Sequence, residues 1–131
     1  MTSTVVFERT HPCARIICDQ TDPQRAVLSL SGEIDAECAR ALEGELAAHR
    51  SLRRRVIRID TYGVTFLDTA ALKVLHDAHR QWLAMRGTVV LIGVTGATAR
   101  LLRLTGLDSE LLVMPPAADT ILPLPDLVSL N

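Results

Sequence analysis

Residues 56–87 read VIRIDTYGVTFLDTAALKVLHDAHRQWLAMRG, and they show most clearly how strands and helices alternate along the chain. Its first five residues, Val56 to Asp60, are rich in β-branched side chains and predict a strand. After a predicted loop, 61–67, Asp68 can cap a helix through its carboxylate. That helix has apolar residues at helical spacing, namely Ala71, Val74, Leu75, Ala78, Trp82 and Met85. Gly87 is the type of residue that ends a helix in the left-handed conformation, so the stretch predicts a strand, a loop and a complete helix.

Strands and helices alternate on both sides of this unit. Further helices are predicted at 35–49 and 96–105, and further strands at 14–18, 26–32, 88–92 and 111–114, with a turn at 19–25. Helices between successive strands require a mainly parallel sheet with right-handed crossovers. The sequence therefore predicts a single α/β domain over residues 1–131, with a sheet of about five strands and helices packed on it. Its core is expected at about 14–114, between a loose N-terminal arm, 1–11, and a Pro-rich C-terminal tail, 115–131.

The two flanking helices each carry an apolar stripe that predicts which face is buried. In the helix at 35–49 the stripe consists of Cys38, Ala39, Leu42 and Leu46, which recur at three to four residues. In the helix at 96–105 the residues expected to point inward are Ala97, Leu101 and Leu104. Gly106 is expected to end that helix as a glycine C-cap.

Charge and composition exclude several classes of function. The chain has 14 Lys and Arg against 15 Asp and Glu, a net charge of −1, so no overall field favours nucleic acid or anionic lipid. The basic run at 53–55 is too short for a nucleic-acid face and is interpreted as a solvated loop. No apolar stretch approaches the roughly 20 residues that span a bilayer, and residues 1–10 lack the pattern of a secretory signal. The cysteines, Cys13, Cys18 and Cys38, include no C-x-x-C pair and suit a reducing compartment, so we expect a cytoplasmic protein without direct nucleic-acid binding or membrane insertion.

Motifs for catalysis, metal binding or cofactor binding are weak or missing. His76 and His79 lie one helical turn apart, but no third ligand converges on them, so a hydrated helix surface is the preferred interpretation. Gly93-x-x-Gly96 lacks the third glycine of a dinucleotide site and the Gly-Lys-Ser/Thr of a P-loop, which indicates a tight turn between a strand and a helix. The motifs G-x-S-x-G and H-E-x-x-H do not occur. We therefore predict a non-enzymatic protein with no catalytic residue, no metal and no cofactor.

The pair Asp68-Thr69 is the most informative candidate site. Asp68 is placed to cap the long helix, and Thr69 occupies its exposed first turn. A phosphate on Thr69 would meet free backbone N–H groups at the positive end of the helix dipole, and it would add about two negative charges to the surface. From local chemistry alone, an N-cap followed by a helix-starting threonine remains the simpler interpretation.

Four pieces of the sequence, in order along residues 14–114, resemble the STAS domain family of anti-sigma factor antagonists. The main piece is the strand at 56–60 followed by Val64-Thr65-Phe66-Leu67-Asp68-Thr69-Ala70-Ala71-Leu72. The segment Leu30-x-Gly32-Glu33-Ile34-Asp35 resembles the family's passage from strand to first helix. Gly87 with Val89-Val90-Leu91 resembles its fourth strand, and Leu101-Leu102-x-Leu104-Thr105-Gly106-Leu107 resembles its third helix.

The resemblance implies a function by partner switching. In that family the hydroxyl residue directly after the aspartate is the usual site of regulatory phosphorylation, and here that position is Thr69. The implied partners are an anti-sigma factor of the histidine-kinase-like ATPase type, which binds and phosphorylates the unmodified chain, and a serine phosphatase that restores it. Phosphorylation would expel the partner through like-charge repulsion and desolvation. The implied partner-binding residues are Asp68, Thr69, Ala70, Lys73, Thr65 and Asp60, the last as a second acidic position that shapes the loop.

Departures from the family pattern keep other functions open. The family often has Ser-Gly where this chain has Ala70-Ala71, and serine is commoner than threonine at the position of Thr69. The extra methyl group restricts the threonine rotamers, so we predict slower phosphorylation than for serine. STAS-type subunits also accompany the ATPases of lipid transporters, where a threonine in a similar Asp-Thr-Ala context packs on the ATPase without being a switch. The alternatives are therefore an accessory subunit of a lipid-transport ABC ATPase, or a non-phosphorylated signalling scaffold.

Overall fold

The strands form one sheet, and the helices that alternate with them along the chain pack on it. The computed structural model describes residues 2–8 and 14–114 of the chain. The elements follow in chain order as β1 (Thr2–Glu8), β2 (Ala14–Asp22), β3 (Arg25–Ile34), α1 (Ala36–Ser51), β4 (Val56–Leu67), α2 (Thr69–Ala84), β5 (Thr88–Ile92), α3 (Gly96–Thr105) and β6 (Leu112–Val113). A short 3-10 helix, Leu107–Ser109, precedes β6. Within the described residues, none of these helices combines the length and the apolar character needed to cross a membrane.

The sheet is parallel from β3 to β6. Its strand order is β1-β2-β3-β4-β5-β6, and only the pairings of β1 with β2 and of β2 with β3 are antiparallel. A helix joins each parallel pair, and right-handed crossovers in a sheet of steadily increasing strand order place all three helices on one face. The predicted α/β fold, with five strands from β2 to β6 in a mainly parallel sheet, is confirmed.

The N-terminal segment corrects the expectation of a loose arm at 1–11. Thr2–Glu8 forms β1, which runs antiparallel to β2 from the pair Thr2 and Gln20 to the pair Glu8 and Arg15. Its sequence, TSTVVFE, is rich in Thr, Val and Phe, which favour strands, and the edge of β2 offers unpaired backbone groups. Residues 9–11 and the predicted tail, 115–131, lie outside the described residues. The predicted turn at 19–25 is also shorter than expected, because β2 continues to Asp22 and only residues 23–24 form the turn.

Strand β4 runs through the segment predicted as a loop at 61–67. Its register against β3 shifts twice, so that β4 has one extra residue between Asp60 and Gly63 and another at Thr65. Each shift is a β-bulge, which bends the strand and resets the alternation of its side chains. The buried residues of β4 are Ile57, Ile59, Thr61 and Leu67. The prediction of a loop is therefore wrong, because the apolar alternation is interrupted here by bulges and not by a turn.

The core lies between the sheet and the helices. The largest fully buried side chains are Ile16, Leu28, Leu30, Ile34, Leu42, Leu46, Ile57, Ile59, Leu75, Trp82, Leu91 and Leu102. The predicted stripe of α1 is buried throughout, and in α2 Ala71, Leu75, Ala78 and Trp82 are buried as predicted. The indole Nε1–H of Trp82 donates to the carbonyl of Arg54 at 2.8 Å, which satisfies the one polar atom of this side chain.

Helix α3 is rotated relative to the expected orientation. Its buried residues are Thr98 and Leu102, whereas Ala97 and Leu104 are exposed and Leu101 is only half-buried. The prediction that these residues point inward is therefore wrong for Ala97 and Leu104, whereas Leu101 packs against the core with part of its side chain. The apolar residues of α3 outnumber the positions that one stripe can bury, so the choice between two stripes depends on the tertiary packing. Gly106 caps the helix at φ 79°, as predicted.

The end of α2 differs from its expectation at one residue. The left-handed residue is Arg86, with φ 63°, and Gly87 does not have a positive φ. A Cβ at Gly87 would lie 2.7 Å from Trp82 Cδ1 and 2.8 Å from the carbonyl oxygen of Arg55. Gly87 is therefore required by close approach to the buried indole and not by its backbone conformation.

Candidate functional site

Asp68 caps helix α2 and also accepts from the hydroxyl of Thr69. The Asp68 N–H donates to the Ile34 carbonyl at 3.0 Å, which holds the end of β4 beside the end of β3. Asp68 Oδ1 accepts from the Thr69 backbone N–H at 2.6 Å and from Thr69 Oγ1 at 3.3 Å. The Thr69 side chain is exposed. An exposed hydroxyl beside a carboxylate suits phosphoryl transfer, because the carboxylate can accept the hydroxyl proton.

Three other predicted contact residues flank this helix start in the chain. Thr65 is the exposed residue of the second bulge in β4, a feature that redirects side chains next to functional sites. Ala70 is half-buried and packs against the core, so it presents only part of its surface. Lys73 is exposed, and its Nζ forms an ion pair with Asp77 at 3.1 Å. The charge of Lys73 is thus partly balanced within its own helix.

Asp60 lies apart from the other predicted residues. It pairs with Ser29 of β3, whereas Leu67, the residue before Asp68, pairs with Ile34 five residues further along β3. At about 3.3 Å per residue, the two positions are separated by about 16 Å along the strand. Asp60 Oδ1 accepts from the Tyr62 N–H at 2.9 Å, where the first bulge begins. The structure therefore does not bring Asp60 together with Thr69.

An apolar groove opens beside Thr69. It has a volume of about 320 Å³ and is lined by Phe66, Leu67, Asp68, Thr69, Ala97, Arg100, Leu101 and Leu104. Its lining is almost entirely apolar, and Phe66 and Leu104 are 52% and 76% exposed. The stripe of α3 that was expected in the core forms one wall of this groove.

Sequence reasoning missed Phe66, Arg100 and Leu104 as candidate functional residues. The apolar spacing of α3 predicts that Leu104 is in the core, and Phe66 belongs to the family motif without a role of its own. The available signal was the excess of apolar residues in α3 over those that one buried stripe can accommodate. Arg100 carries no signal in the sequence, because only the packing of α3 beside the start of α2 gives it this position.

The histidines of α2 do not form a metal site with each other. His76 Nε2 lies 2.7 Å from Glu110 Oε1, and Asp77 is paired with Lys73. His79 Nδ1 is buried and has no hydrogen-bond partner within the described residues. Gly93 and Gly96 have φ of 66° and 53°, which agrees with a tight turn between β5 and α3.

A polar cluster that the sequence analysis does not predict joins Cys18, Glu45 and His49. The ligand-type atoms of these residues lie within 4.8 Å of one another, as in a metal site. His49 Nε2 is 2.8 Å from Glu45 Oε2 and 3.5 Å from Cys18 Sγ, while Arg54 Nε donates to His49 Nδ1 at 3.0 Å. Because arginine can only donate a hydrogen bond, Nδ1 of His49 must be the acceptor. The neutral imidazole therefore carries its proton on Nε2, which blocks that nitrogen as a metal ligand. Burial lowers the pKa of His49 from its ordinary value, opposed by Glu45 and assisted by Arg54.

Comparisons with known proteins agree on one family. A family model described as Mlab, STAS domain, matches residues 17–115. The anti-sigma-B factor antagonist of Listeria monocytogenes is 28% identical over 89 residues, which cover 68% of this chain and 78% of the relative. The crystal structure of an anti-sigma factor antagonist from Mycobacterium paratuberculosis matches with a TM-score of 0.71 and 29% identity, covering 86% of this chain and 95% of that one. The phosphorylated form of the Bacillus cell fate determinant SpoIIAA shares the fold, with a TM-score of 0.64, 13% identity, and coverage of 79% of this chain and 95% of that one.

Proposed function

The chain belongs to the STAS domain family, and on this premise we propose that it is an anti-sigma factor antagonist that works by binding and not by catalysis. Its partner is an anti-sigma factor of the histidine-kinase-like ATPase type. While that partner holds this chain it cannot hold its sigma factor, so binding regulates sigma-factor-dependent transcription. The two relatives of 28% and 29% identity, both named as anti-sigma factor antagonists, support this assignment.

The observation that carries the proposal is the exposed Thr69 hydroxyl at the rim of an apolar groove that stays open among the described residues. Isolated exposed apolar side chains are common, but Phe66 and Leu104 both line one concave surface. Such a surface fits an apolar side chain of a partner, and Arg100 in its lining fits an acidic one. A kinase bound there would have the Thr69 hydroxyl within its interface.

Phosphorylation of Thr69 ends the complex. Thr69 Oγ1 bonds to the γ-phosphorus of ATP, the bond from that phosphorus to the bridging oxygen of ADP breaks, and Asp68 accepts the hydroxyl proton before releasing it to water. The modified side chain carries about two negative charges at neutral pH. The complex is weakened because these charges lose their water at the interface and are repelled by negative charges of the partner. A serine phosphatase removes the phosphate and restores binding. SpoIIAA, a protein of the same fold, has been solved in a phosphorylated form, which supports a phosphorylation switch in general without giving its position.

The other predicted contact residues have distinct roles in this proposal. Asp68 positions the Thr69 hydroxyl, Thr65 and Lys73 contact the partner on either side of it, and Ala70 keeps the first turn of α2 packed on the core. Asp60 acts indirectly, since its carboxylate holds the backbone of β4 at the first bulge.

Affinity capture from the native host tests the proposal. The baits are the wild-type chain, Thr69→Glu, Leu104→Glu and, as a matched control, Leu83→Glu, which alters a 57% exposed leucine that does not line the groove. We expect a histidine-kinase-like ATPase to be retained by wild type and by Leu83→Glu and lost by the other two. The purified ATPase should then transfer phosphate from ATP to Thr69, and faster to a Thr69→Ser variant. Equal retention of the same partner by wild type and Thr69→Glu would contradict the switch.

A second candidate is an accessory subunit of a lipid-transport ABC ATPase. The Asp68-Thr69-Ala70 sequence supports it, because Ala70 packs against the core and leaves the threonine as the only hydroxyl of the first turn. In this case the same capture retains a transporter ATPase, and the ATPase does not phosphorylate Thr69. A third outcome is that wild type retains a partner of neither class and Thr69→Glu loses it. This outcome would indicate a scaffold without phosphorylation.

A further inference from the structure

Arg100 and Thr69 line the same groove from different elements. Thr69 is the first residue of α2, and Arg100 lies in the middle of α3. The remaining wall is apolar apart from Asp68, whose carboxylate already accepts from the backbone and the hydroxyl of Thr69. A long arginine side chain can extend across a groove of about 320 Å³.

The guanidinium of Arg100 is available for a new contact. Arg100 is exposed, and within the described residues it forms no hydrogen bond or ion pair. Lys73 is a second cation near the first turn of α2, because it lies four residues after Thr69 on the same helix face. Its Nζ is already paired with Asp77 at 3.1 Å. Of the two cations, Arg100 is therefore the better receiver of a new negative charge.

We propose that Arg100 binds the phosphate of phosphorylated Thr69 across the groove and thereby closes the docking surface between Phe66 and Leu104. This inference rests on the proposed phosphorylation of Thr69 and adds an intramolecular element to it. The planar guanidinium can donate two parallel hydrogen bonds to phosphate oxygens, a geometry that lysine cannot reproduce. The phosphorylated chain, free of its partner, is then stabilised by a contact within the chain. This contact acts in addition to the repulsion between the phosphate and the partner.

The bridge has two consequences for binding. It covers the apolar surface that a partner side chain would occupy, and it withdraws the positive charge that would meet an acidic partner residue. Without Arg100, the phosphate still repels the partner, but the groove stays open. Phosphorylation of an Arg100→Ala chain should therefore weaken partner binding less than phosphorylation of the wild type.

The direct test places phosphothreonine at position 69 by genetic incorporation, so that no kinase is needed. The second pKa of the phosphate, ordinarily near 6, is then measured by phosphorus NMR titration in wild type, Arg100→Ala, Arg103→Ala and Lys73→Ala. Arg103 is a matched control, since it is exposed on the same helix but does not line the groove. We expect the phosphate pKa to be higher by about 0.5 unit in Arg100→Ala than in wild type, and unchanged in Arg103→Ala. Equal values in Arg100→Ala and Arg103→Ala would overturn the proposal, as would a larger increase in Lys73→Ala.

A second measurement links the bridge to function. With the purified ATPase partner, the ratio of dissociation constants between phosphorylated and unmodified chain should be several-fold smaller for Arg100→Ala than for wild type, and equal to wild type for Arg103→Ala. An unchanged ratio in Arg100→Ala overturns the proposed closure of the groove. If the ATPase does not modify Thr69, the proposed function fails, whereas the NMR result on incorporated phosphothreonine still decides whether Arg100 binds the phosphate.

Discussion

At His49, two hydrogen bonds decide which ring nitrogen carries the proton. The side chain is 2% exposed and lies between Arg54, which donates to Nδ1, and Glu45, which faces Nε2. Protonation of Nδ1 would remove the acceptor for Arg54 and place two cations in contact. The fold therefore favours the neutral imidazole, in agreement with the lowered pKa that burial imposes on His49.

We expect the free energy of unfolding to decrease as the pH is lowered below the unfolded pKa of His49. The folded pKa is below the ordinary value of 6.5, so the unfolded chain binds more protons in this range. The stabilisation is fully present above about pH 6.5 and is lost as the pH falls through the folded pKa. The groups that face His49 are Cys18, Glu45 and Arg54, so the cluster acts as one unit. The measurement is urea unfolding across this pH range.

Two glutamine variants isolate the contribution of His49. Glutamine can accept from Arg54 and donate to Glu45 without titrating, so His49→Gln should show a flatter dependence of stability on pH. Leu83→Gln introduces the same amide at an exposed leucine outside the cluster and serves as the control, with a slope equal to that of wild type. If His49→Gln retains the full slope, the assignment of the acid sensitivity to this cluster is wrong.

Two glycines should respond in opposite directions to alanine. A Cβ at Gly87 meets Trp82 and the Arg55 carbonyl at 2.7 and 2.8 Å, so Gly87→Ala should destabilise by about 1–3 kcal/mol through overpacking. Gly44 lies inside α1, where a Cβ has no neighbour within 4 Å. Gly44→Ala should stabilise by about 0.4–1 kcal/mol by reducing the entropy of the unfolded chain. Urea midpoints at constant m-value measure both, and a tolerated Gly87→Ala would contradict the packing described for Trp82.

At the scale of elements, the sequence predicts regular segments well and their orientation less well. The helices α1 and α2 have one apolar stripe each, and both are buried as expected. In α3 two stripes compete, and the spacing of apolar residues cannot select between them because either would suit a helix on a sheet. The bulges of β4 escape prediction for a related reason, since a bulge interrupts alternation just as a loop does. The motif around Asp68 and Thr69 predicts these two residues, whereas the position of Arg100 follows only from the packing of α3 beside α2.

The orientation of α3 is testable with two leucines of one helix. Leu102 is 1% exposed and Leu104 is 76% exposed. Leu102→Ala should cost about 2–5 kcal/mol, because it leaves a cavity in the core. Leu104→Ala should change stability by no more than about 0.5 kcal/mol. Chemical denaturation of the two variants decides the matter, and the reverse order of effects would restore the orientation that the apolar spacing alone predicts.

At the scale of the whole molecule, the buried polar cluster and the proposed binding residues occupy opposite ends of the helical layer. Trp82, near the end of α2, bonds to the Arg54 carbonyl, and the Arg54 side chain donates to His49 and to the Pro23 carbonyl. Thr69 begins the same helix, thirteen residues before Trp82, which corresponds to about 20 Å along the axis. The polar cluster joins the ends of α1 and α2 to the turn between β2 and β3, and the groove lies at the other end of α2. The hydrogen bonds of Asp68 and Thr69 go to each other and to Ile34, Ala71 and Leu72, and not to the polar cluster.

This separation predicts that stability and partner binding can be changed independently. His49→Gln should lower the free energy of unfolding while leaving the affinity for the purified partner unchanged at pH 7.5. Thr69→Glu should abolish partner binding while leaving stability unchanged or raised by about 0.3–1 kcal/mol, because a negative charge at a helix start is favourable. Since the two residues are further apart than about 10 Å and share no partner, their effects on unfolding should add within about 0.5 kcal/mol in the double variant. Urea unfolding and partner titration of the four proteins measure both quantities. A coupling energy well above this limit would show that the two ends communicate through α2, and the sheet and helices would then transmit the state of Thr69 to the core.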